Sequence, residues 1–346
     1  MIITNTDRPA SMIGLGKAVT SKPLTIWAES PEEARNFLAR ADNTATKLNI
    51  ERIFVAKRSP RERHNKYTGG EYYTTSNDRA VDTFDEIILA PNSVTGLVQY
   101  CTCDIMASFG NEPAFVLEDT THIVRMNVFQ RMPRLIKAAN LGVPSIALQG
   151  TVGLDLTKRG DRWGLYRYLA VFAALYRRYP DHSPLPLFYS SDGSKIDSED
   201  HAEKIAFGYI DAIISNNKEN FSKIRRSVMS NVGTQLRYAL EHEPAPELPC
   251  IENGSREVTV HIGAKPDRIS WIKKGSGQMD PYIGMIAAAK YLYCFDDQGK
   301  QIKSLTVSFT YLPNGFPFFK DGKDATALYK RLPFEIADKV VFLGAN

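Results

Sequence analysis

Two acidic residues end a short apolar run in the segment PAFVLEDTTHIVRMNVFQRMPRL, which spans residues 113–135. Glu118 and Asp119 follow five apolar residues. A buried strand that ends in carboxylates is costly to desolvate unless the acids are paired, hydrogen-bonded or bound to a metal. On the preceding predicted strand, Asp104 lies opposite residue 118 or 119, and the sequence leaves both registers open. The spacing predicts a group of carboxylates at one end of a rigid sheet.

Carboxylates arranged in this way suit the cleavage of phosphodiester bonds. That reaction needs a nucleophilic water, an in-line geometry and neutralisation of the charge that develops on the phosphate. One or two Mg²⁺ ions supply all three, and hard cations of this kind prefer carboxylate oxygens. We therefore expect Asp104 and Glu118 to be catalytic acids that hold Mg²⁺.

Local signals predict the elements that position these acids. A helix over residues 31–43 begins with Pro31 in its first turn, where proline is favoured. Ser30 supplies the cap of this helix, and Glu33 completes a capping box. Further along the chain the patterns predict two strands, an antiparallel hairpin, a helix and a buried strand, at residues 52–57, 85–92, 96–109 with 114–121, 128–140 and 143–150. The last helix and strand, with the second hairpin strand, make a parallel crossover unit.

In the second half of the chain, the sequence first predicts helices and then, toward the C-terminus, both strands and a helix. The Pro-rich segment 243–254 is the best linker candidate. The predicted helices are residues 162–179, 198–217, 219–242 and 281–294. Strands are predicted near residues 256–263 and 303–311, and a final apolar stretch covers residues 333–343.

These elements predict an α/β fold in which helices flank a mixed sheet. Three regions follow from the order of the elements. They are an α/β core at residues 1–150, a helical region at 151–242 that packs on the core, and a smaller α+β region at 255–346.

Composition limits the class of protein without naming its partner. The 346 residues are 43% hydrophobic and 24% charged, which is ordinary for a folded chain, and the formal net charge of +4 permits nucleic-acid binding without arguing for it. Four cysteines have no metal-site spacing and are expected to be reduced, buried thiols. The N-terminal residues do not resemble a secretory signal, and no apolar run approaches the ~18 residues of a spanning helix. We expect a soluble, cytoplasmic protein with no membrane partner.

The order of elements and acids over residues 30–150 resembles the core of the PD-(D/E)XK nuclease superfamily, which includes many restriction endonucleases. Asp104 matches the first acid of that motif and Glu118 the second, while Thr120 stands where the family usually has lysine. The resemblance implies a restriction-endonuclease-like sheet and a Mg²⁺-dependent endonuclease of type II restriction character. It also implies a further acid from the preceding helix, at Glu33 or Glu32, with Glu33 as the expected metal ligand. Thr120, or a nearby basic residue, would orient the water.

Basic and amide side chains near the acids are candidates for contact with double-stranded DNA. Arginine forks suit phosphates, and Asn or Gln can contact adenine edges. A second, Pro-broken basic loop could follow a phosphate backbone. The two candidate groups are Arg125, Asn127, Gln130 and Arg131 after the acidic strand, and Lys57, Arg58, Arg61 and Arg63 in the loop. If the restriction interpretation holds, a palindromic site favours a homodimer.

Three other interpretations stay open. The acids could serve only as ion-pair partners of Arg125 or Arg131. The chain could be a non-catalytic DNA-binding protein with a degenerate nuclease core, since Thr120 replaces lysine. It could also act on a small phosphorylated or nucleotide substrate, since the Gly-Ser-Gly turn in residues 273–282 could present backbone N–H groups to a phosphate.

Overall fold

The computed structural model of the chain describes residues 22–56, 82–84, 103–120, 131–151, 155–189, 199–244, 251–253, 257–262, 286–287, 289–292, 303–310 and 336–343. The strands in this part of the chain are β1 (Leu24–Ala28), β2 (Ile50–Ala56), β3 (Asp82–Phe84), β4 (Ile105–Phe109), β5 (Glu112–Thr120), β6 (Ser145–Gly150), β7 (Leu185–Tyr189), β8 (Ile251–Asn253), β9 (Glu257–Ile262), β10 (Ser304–Thr310) and β11 (Lys339–Leu343). The helices with described bounds are α1 (Pro31–Asn43), α2 (Met132–Asn140), α3 (Arg159–Arg178), α4 (Glu199–Ile214) and α5 (Lys218–His242). Residues 286–287 and 289–292, within the predicted helix 281–294, are also helical, and the rest of that predicted helix lies outside the described residues.

Helix α1 begins as the sequence predicts. The side-chain oxygen of Ser30 accepts a hydrogen bond from the backbone N–H of Glu33 at 3.2 Å. Pro31 occupies the first turn, where its missing N–H leaves no bond unmade. The buried side of the helix comprises Ala34, Phe37, Leu38 and Ala41. The predicted helix over residues 31–43 is therefore confirmed.

Strands β4 and β5 form the predicted antiparallel hairpin. The turn between them contains Gly110, whose φ of 57° lies in the left-handed region that glycine adopts at little cost. The ladder pairs Ile105 with Leu117, and a bulge between Ala107 and Ser108 changes the register toward the turn. The pairing of Ile105 with Leu117 therefore sets the register at the end of the hairpin away from the turn, where the acids lie.

Helix α2 connects β5 to β6 as a parallel crossover. It begins at Met132 with Pro133 in its first turn, and its seven buried residues cover the sheet. Gly142, whose φ is 73°, follows the end of the helix and provides the left-handed conformation that commonly ends helices. The crossover unit that the sequence predicts is confirmed; residues 128–130 of the predicted helix lie outside the described residues.

The larger sheet has seven strands in the order β3-β2-β1-β4-β5-β6-β7. Strand β4 is antiparallel to both of its neighbours, β1 and β5, and the other adjacent pairs are parallel. Strands β1, β2 and β3 follow one another toward one edge of the sheet, and strands β4 to β7 follow one another toward the other edge. The mixed α/β sheet flanked by helices, as predicted, is confirmed.

Helices cover both faces of this sheet. On one face, the ring of Phe115 from β5 lies 6.2 Å from that of Phe37 in α1, and Phe37 lies 5.6 Å from Phe207 in α4. On the other face, apolar residues of α2 pack with Tyr168 and Phe172 of α3. Successive residues of β5 point to opposite faces of the sheet and therefore contact different helices. The same alternation places the two acids at the end of β5, Glu118 and Asp119, on opposite faces.

Strand β7 was not predicted from the sequence. It lies inside the region expected to be helical and pairs parallel with β6, so this region contributes a strand to the main sheet. The segment LPLFY is a short apolar run, and such runs give no periodicity by which a strand differs from a buried helical turn. The predicted helices that flank it correspond to α3, α4 and α5.

The C-terminal region contains a second sheet of four strands, in the order β11-β10-β9-β8. Strands β9 and β10 confirm the two strands predicted there, and β11 lies in the final apolar stretch. Val258 and Leu305 of this sheet belong to the same apolar cluster as Phe172 of α3. No helix in the described part of the chain is long and apolar enough to span a membrane.

The aromatic contact between α1, β5 and α4 gives a test of the fold. We expect Phe115→Ala to lower the free energy of unfolding by about 3–5 kcal/mol, because Phe115 is fully buried and its removal leaves a cavity. Leu240→Ala is the control, since Leu240 is 69% exposed and its truncation should change stability by less than about 0.5 kcal/mol. Urea unfolding measures both, and equal effects would contradict this packing.

Candidate functional site

The acids of the predicted site lie at the carboxyl edge of the main sheet. In open α/β sheets, ligands bind outside this edge, at the point where the strand order reverses. Here the reversal falls between β1 and β4. Because β4 is antiparallel, it starts at this edge, and Asp104 immediately precedes it. Glu118 and Asp119 end β5 at the same edge.

The register places three acids side by side. Ala28 pairs with Ile105, and Ile105 pairs with Leu117. One step further toward the edge, Glu29 lies opposite Asp104 and Asp104 lies opposite Glu118. The backbone N–H of Glu29 donates to the carbonyl of Asp104 at 3.1 Å, which confirms the extension of the ladder. Residues directly opposite each other share a face of the sheet, so these carboxylates form one row across three strands, here called the acid row.

Two arginines cover the acid row, Arg131 at the N-cap of α2 and Arg134 in its first turn. Nη1 of Arg131 lies 3.2 Å from Oδ1 of Asp104, and Nε of Arg131 lies 3.6 Å from Oε2 of Glu118. Nη1 of Arg134 donates to Oε2 of Glu118 at 2.9 Å. Residues three apart on a helix lie on one side of it, so the start of α2 directs both guanidinium groups to the same place. The row that the sequence predicts as a metal site is therefore paired with arginine in this structure.

Burial still makes the charged form of Asp104 unfavourable. Asp104 and Glu118 are fully buried. Desolvation, followed by the charge of Glu118, raises the pKa of Asp104 to about 6, and the arginines only partly oppose this shift. Desolvation likewise raises the pKa of Glu29, whose carboxyl group shares a hydrogen bond with that of Asp104. Burial therefore favours a proton on the acid row, whereas full ionisation of its three carboxylates would give one negative charge more than Arg131 and Arg134 neutralise.

Asp119 points to the opposite face, where Arg40 of α1 binds it. Nε of Arg40 lies 2.9 Å from Oδ2 of Asp119, and Nη1 of Arg40 lies 3.1 Å from Oε1 of Glu199. Glu203 of α4 also pairs with Arg40. The backbone N–H of Asp119 donates to Oδ2 of Asp104 at 2.9 Å. Arg40 thus holds the backbone that orients a carboxylate of the acid row.

Glu33 lies close enough to these acids to be affected by them. Burial, followed by the charges of Asp104, Asp119 and Glu29, raises the pKa of Glu33 to about 8. Glu33 lies in the first turn of α1, within electrostatic range of these acids. The structure therefore brings the predicted further ligand near the acid row.

Thr120 shares a face of β5 with Glu118, because the two residues are two positions apart. It pairs in register with Gln149 of β6, whose Nε2 donates to the hydroxyl of Tyr168 at 2.9 Å. Among the described residues, Oγ1 of Thr120, Oε1 of Gln149 and Oε1 of Glu118 are buried and have no hydrogen-bond partner. Beside the arginines, this end of the sheet therefore offers buried oxygens with unused bonding capacity.

The donor set fits a hard cation better than a soft one. Carboxylate, amide and hydroxyl oxygens are the ligands that Mg²⁺ prefers, and one carboxylate oxygen of Glu118 has no partner. No group of three or more acidic, histidine or cysteine side chains in the described part of the chain is arranged closely enough to hold a metal. Asp104 and Glu118 instead have Arg131 and Arg134 as their partners.

The structure thus brings together several predicted residues and adds others. Asp104 and Glu118 lie in one row, Thr120 and Glu33 lie beside it, and Arg131 contacts both acids of the motif. The predicted ion pair with Arg131 is confirmed. The remaining predicted DNA contacts, Arg125, Asn127, Gln130, Lys57, Arg58, Arg61 and Arg63, lie outside the described residues, as do residues 273–282.

Sequence reasoning missed three residues of this site, namely Glu29, Arg40 and Gln149. For Glu29 a signal existed, since the apolar segment LTIWA immediately precedes it and forms β1. The Ser-Pro pair after Glu29 drew attention to the helix cap instead. No local pattern indicates that Arg40 reaches β5, because the two lie 79 residues apart in sequence at their contact.

Removing Arg134 should be costly because it takes away the nearer of the two guanidinium groups that pair with the buried carboxylate of Glu118. We expect Arg134→Met to lower the free energy of unfolding by about 3–5 kcal/mol. In the double variant Arg134→Met with Glu118→Gln, much of that loss should be recovered. Arg177→Met, at an exposed position of α3, is the control. Denaturant unfolding measures wild type, the single variants Arg134→Met and Glu118→Gln, the double variant and the control, and additive effects of the two site substitutions would contradict the pair.

Stability should also depend on pH through Glu33. A folded-state pKa of about 8, raised from 4.5, means that Glu33 favours folding when protonated. Its contribution is therefore present below about pH 4.5 and lost as the pH rises through about 8. In chelator-treated protein, Glu33→Gln should reduce the loss of stability between acidic and mildly alkaline pH. Glu112→Gln, exposed at the other end of β5, should not. Equal pH profiles for Glu33→Gln and wild type would contradict this environment.

Comparison with known proteins adds no family assignment. No protein-family model matches the chain, and neither a curated protein nor a solved structure matches it significantly. A fold class alone does not determine function. The acid row and its arginines therefore carry the functional argument.

Proposed function

We propose that this protein is a Mg²⁺-dependent endonuclease that hydrolyses phosphodiester bonds of double-stranded DNA, of the type II restriction kind. The observation that carries the proposal is the row formed by Asp104 and Glu118. One acid precedes the antiparallel strand β4, the other ends β5, and the crossover helix α2 follows. This order of elements supports the resemblance to the PD-(D/E)XK superfamily and to its restriction-endonuclease-like fold.

The charges around the acid row support a phosphodiester substrate. When ionised, the carboxylates of Glu29, Asp104 and Glu118 exceed the charge of Arg131 and Arg134 by one unit. A divalent cation would reverse this to one positive charge, and a phosphodiester carries one negative charge that balances it. Arginine also binds phosphate through paired N–H donors, so the two guanidinium groups have a suitable alternative partner when a cation takes the carboxylates.

The side chains have distinct roles in this proposal. Asp104 and Glu118 would hold Mg²⁺, with Glu33 as a further ligand. A bound divalent cation supplies charge stabilisation and lowers the pKa of its water. The N–H of Asp119 orients the carboxylate of Asp104, and the hydroxyl of Thr120 orients the attacking water. Arg131 and Arg134 bind the phosphate as its negative charge develops, which is the role of preorganised donors in such sites.

The predicted partners remain part of the proposal. Double-stranded DNA would lie along the carboxyl edge of the main sheet, where Arg131 lies. The basic loop at residues 57–63 and the residues that precede α2 would contact the backbone and bases. A homodimer would match a palindromic site.

A second candidate is a non-catalytic DNA-binding protein with a degenerate nuclease core. Two observations favour it. Arg131 and Arg134 already neutralise part of the charge of both motif acids, and Thr120 occupies the usual lysine position. In such a protein the acid row would be a structural ion-pair network, and basic residues alone would bind DNA.

Cleavage of supercoiled plasmid in the presence of Mg²⁺ tests the proposal. We expect wild type to nick and linearise plasmid, and a chelator to abolish cleavage. Asp104→Asn and Glu118→Gln should each lower the rate on the order of 10²–10³-fold, the range for removal of one preorganised group. Glu112→Gln is the matched control, because the same substitution falls at the opposite end of β5. Circular dichroism checks that each variant is folded.

The other possible results of these assays distinguish between the alternative functions. Unchanged cleavage in both acid variants would contradict the site. Salt-dependent duplex binding without any nicking by wild type would favour the degenerate core, because phosphate contacts release counterions. Absence of salt-dependent duplex binding would favour a small phosphorylated substrate instead.

A further inference from the structure

We infer that the side-chain amide oxygen of Gln149 accepts a hydrogen bond from the water that attacks the phosphodiester, and that Tyr168 holds the amide in position for this contact. The inference rests on the proposed function, because it adds a catalytic residue and a positioning residue to the same reaction. It makes β6 and α3 parts of the site, beside β4 and β5.

The register of β5 and β6 places Gln149 beside the predicted site residues. In this parallel pair Glu118 lies opposite Ala147, and Thr120 lies opposite Gln149. Residues two positions apart on a strand share a face of the sheet, and so do residues directly opposite each other. The side chains of Glu118, Thr120 and Gln149 therefore lie on one face at the carboxyl edge. Ala147, on the same face, packs in the apolar cluster that α2 and α3 form over the sheet.

The hydrogen bond to Tyr168 fixes the orientation of the Gln149 amide. Nε2 of Gln149 donates to the hydroxyl oxygen of Tyr168 at 2.9 Å. Tyr168 is itself fully buried, and its ring lies edge-on to those of Phe172 and Phe188, with centroids 4.7 Å and 5.6 Å away. A primary amide has an acceptor as well as its donors, so its oxygen is left over when the nitrogen binds Tyr168. That oxygen, Oε1, has no hydrogen-bond partner in the described part of the chain, although Gln149 is only 1% exposed.

Two further unpaired oxygens lie on the same face. Oγ1 of Thr120 and Oε1 of Glu118 are buried and lack a hydrogen-bond partner among the described residues. Glu118 presents its other oxygen, Oε2, to Arg134 at 2.9 Å. Burial raises the pKa of Tyr168, and the charge of Glu118 acts in the same direction, so these two side chains lie within electrostatic range of each other. The oxygens that lack donors therefore belong to one part of the sheet edge.

A water molecule is the ligand that fits these oxygens. Buried polar atoms are rarely left without a partner, and a buried water typically makes about three hydrogen bonds to such groups. Water donates two hydrogens, which suits the acceptor oxygens of Gln149 and Glu118, while the hydroxyl of Thr120 can donate to the water oxygen. One lone pair of the water oxygen then remains free for attack.

This arrangement orients the water without any exchange of protons with Gln149. The water oxygen forms a bond to phosphorus, and the bond from phosphorus to the leaving sugar oxygen breaks, with its electron pair moving to that oxygen. One proton of the water passes to solvent, and the leaving oxygen takes a proton from solvent. Gln149 keeps both amide hydrogens and fixes the direction of the attacking lone pair, which is how orientation accelerates such a step.

A purely structural role for Gln149 makes a different prediction. If the amide served only to satisfy the hydroxyl of Tyr168 in the core, Gln149→Met would lower stability and leave the cleavage rate of the folded protein unchanged. If the amide oxygen holds the water, the same substitution slows cleavage and leaves the affinity for duplex DNA unchanged.

Single-turnover cleavage of supercoiled plasmid with Mg²⁺, together with duplex affinity measured by fluorescence anisotropy with Ca²⁺, separates the two roles. We expect Gln149→Met to lower the rate at saturating enzyme on the order of 10²-fold, the cost of misplacing a reacting group. Its dissociation constant for duplex DNA should equal that of wild type. Ser145→Ala is the matched control and should cleave at the wild-type rate, since Ser145 also has a buried, unpaired oxygen but lies at the opposite end of β6.

A second substitution tests the positioning role of Tyr168. Tyr168→Phe keeps the ring but removes the oxygen that binds Nε2 of Gln149, so it should slow cleavage less than Gln149→Met does. The double variant Tyr168→Phe with Gln149→Met should cleave at the rate of Gln149→Met alone, because Tyr168 acts through Gln149. Additive losses in the double variant would overturn this role of Tyr168.

The results separate this inference from the proposed function. Cleavage by wild type with an equal rate in Gln149→Met would overturn the inference and leave the nuclease proposal intact. So would a loss in Gln149→Met that a higher enzyme concentration restores, since that indicates weaker duplex binding. Absence of cleavage by wild type would overturn both. Should Gln149→Met fail to fold, Gln149→Asn replaces it, since the amide is kept and its reach is shortened, and a wild-type rate in Gln149→Asn would then overturn the inference.

Discussion

The burial of several carboxylates at one edge of the main sheet is the constraint on which the rest of this structure depends. Isolated charges cannot be buried cheaply, so each acid must have a counter-charge or share a proton. On one face α2 provides Arg131 and Arg134, and on the other α1 provides Arg40. The helices that pack on the sheet through their apolar sides therefore also bring the charges that make the edge possible.

One antiparallel strand explains why so many acids meet there. In a wholly parallel sheet only the carboxyl ends of strands reach this edge. Strand β4 reverses direction, so the residue that precedes it, Asp104, joins the residues that follow β1 and β5. Three adjacent strands can then each contribute an acid at one level. The turn at Gly110 and the bulge beside it fix this register, because a shift of one residue would move Glu118 to the other face.

The acids are not fully compensated, and this links stability to function. Burial raises the pKa of Asp104 and Asp119 to about 6, although each contacts arginine. Ionisation of these buried acids costs stability, and in the proposed function a bound cation would offset that cost. Such local destabilisation is common where a site must bind a ligand. The bond from the N–H of Asp119 to Asp104 connects the two faces, so the arginine on one face helps to position an acid on the other.

The sequence by itself determined the elements that local signals specify. The cap at Ser30, the glycine turn of the β4–β5 hairpin and the crossover helix α2 were all predictable, since each depends on residues close in the chain. The hairpin also predicted that Asp104 lies beside the acids at 118 and 119, but only the observed register showed that Glu118 is the one opposite it. Only the tertiary structure decided that Glu29 joins the row, that Arg134 covers it and that Arg40 holds Asp119. Those contacts depend on the pairing of β1 with β4, whose partners Trp27 and Met106 are far apart in sequence. Strand pairing over such distances is set by the packing of the whole sheet, and it leaves no periodic pattern in either segment alone.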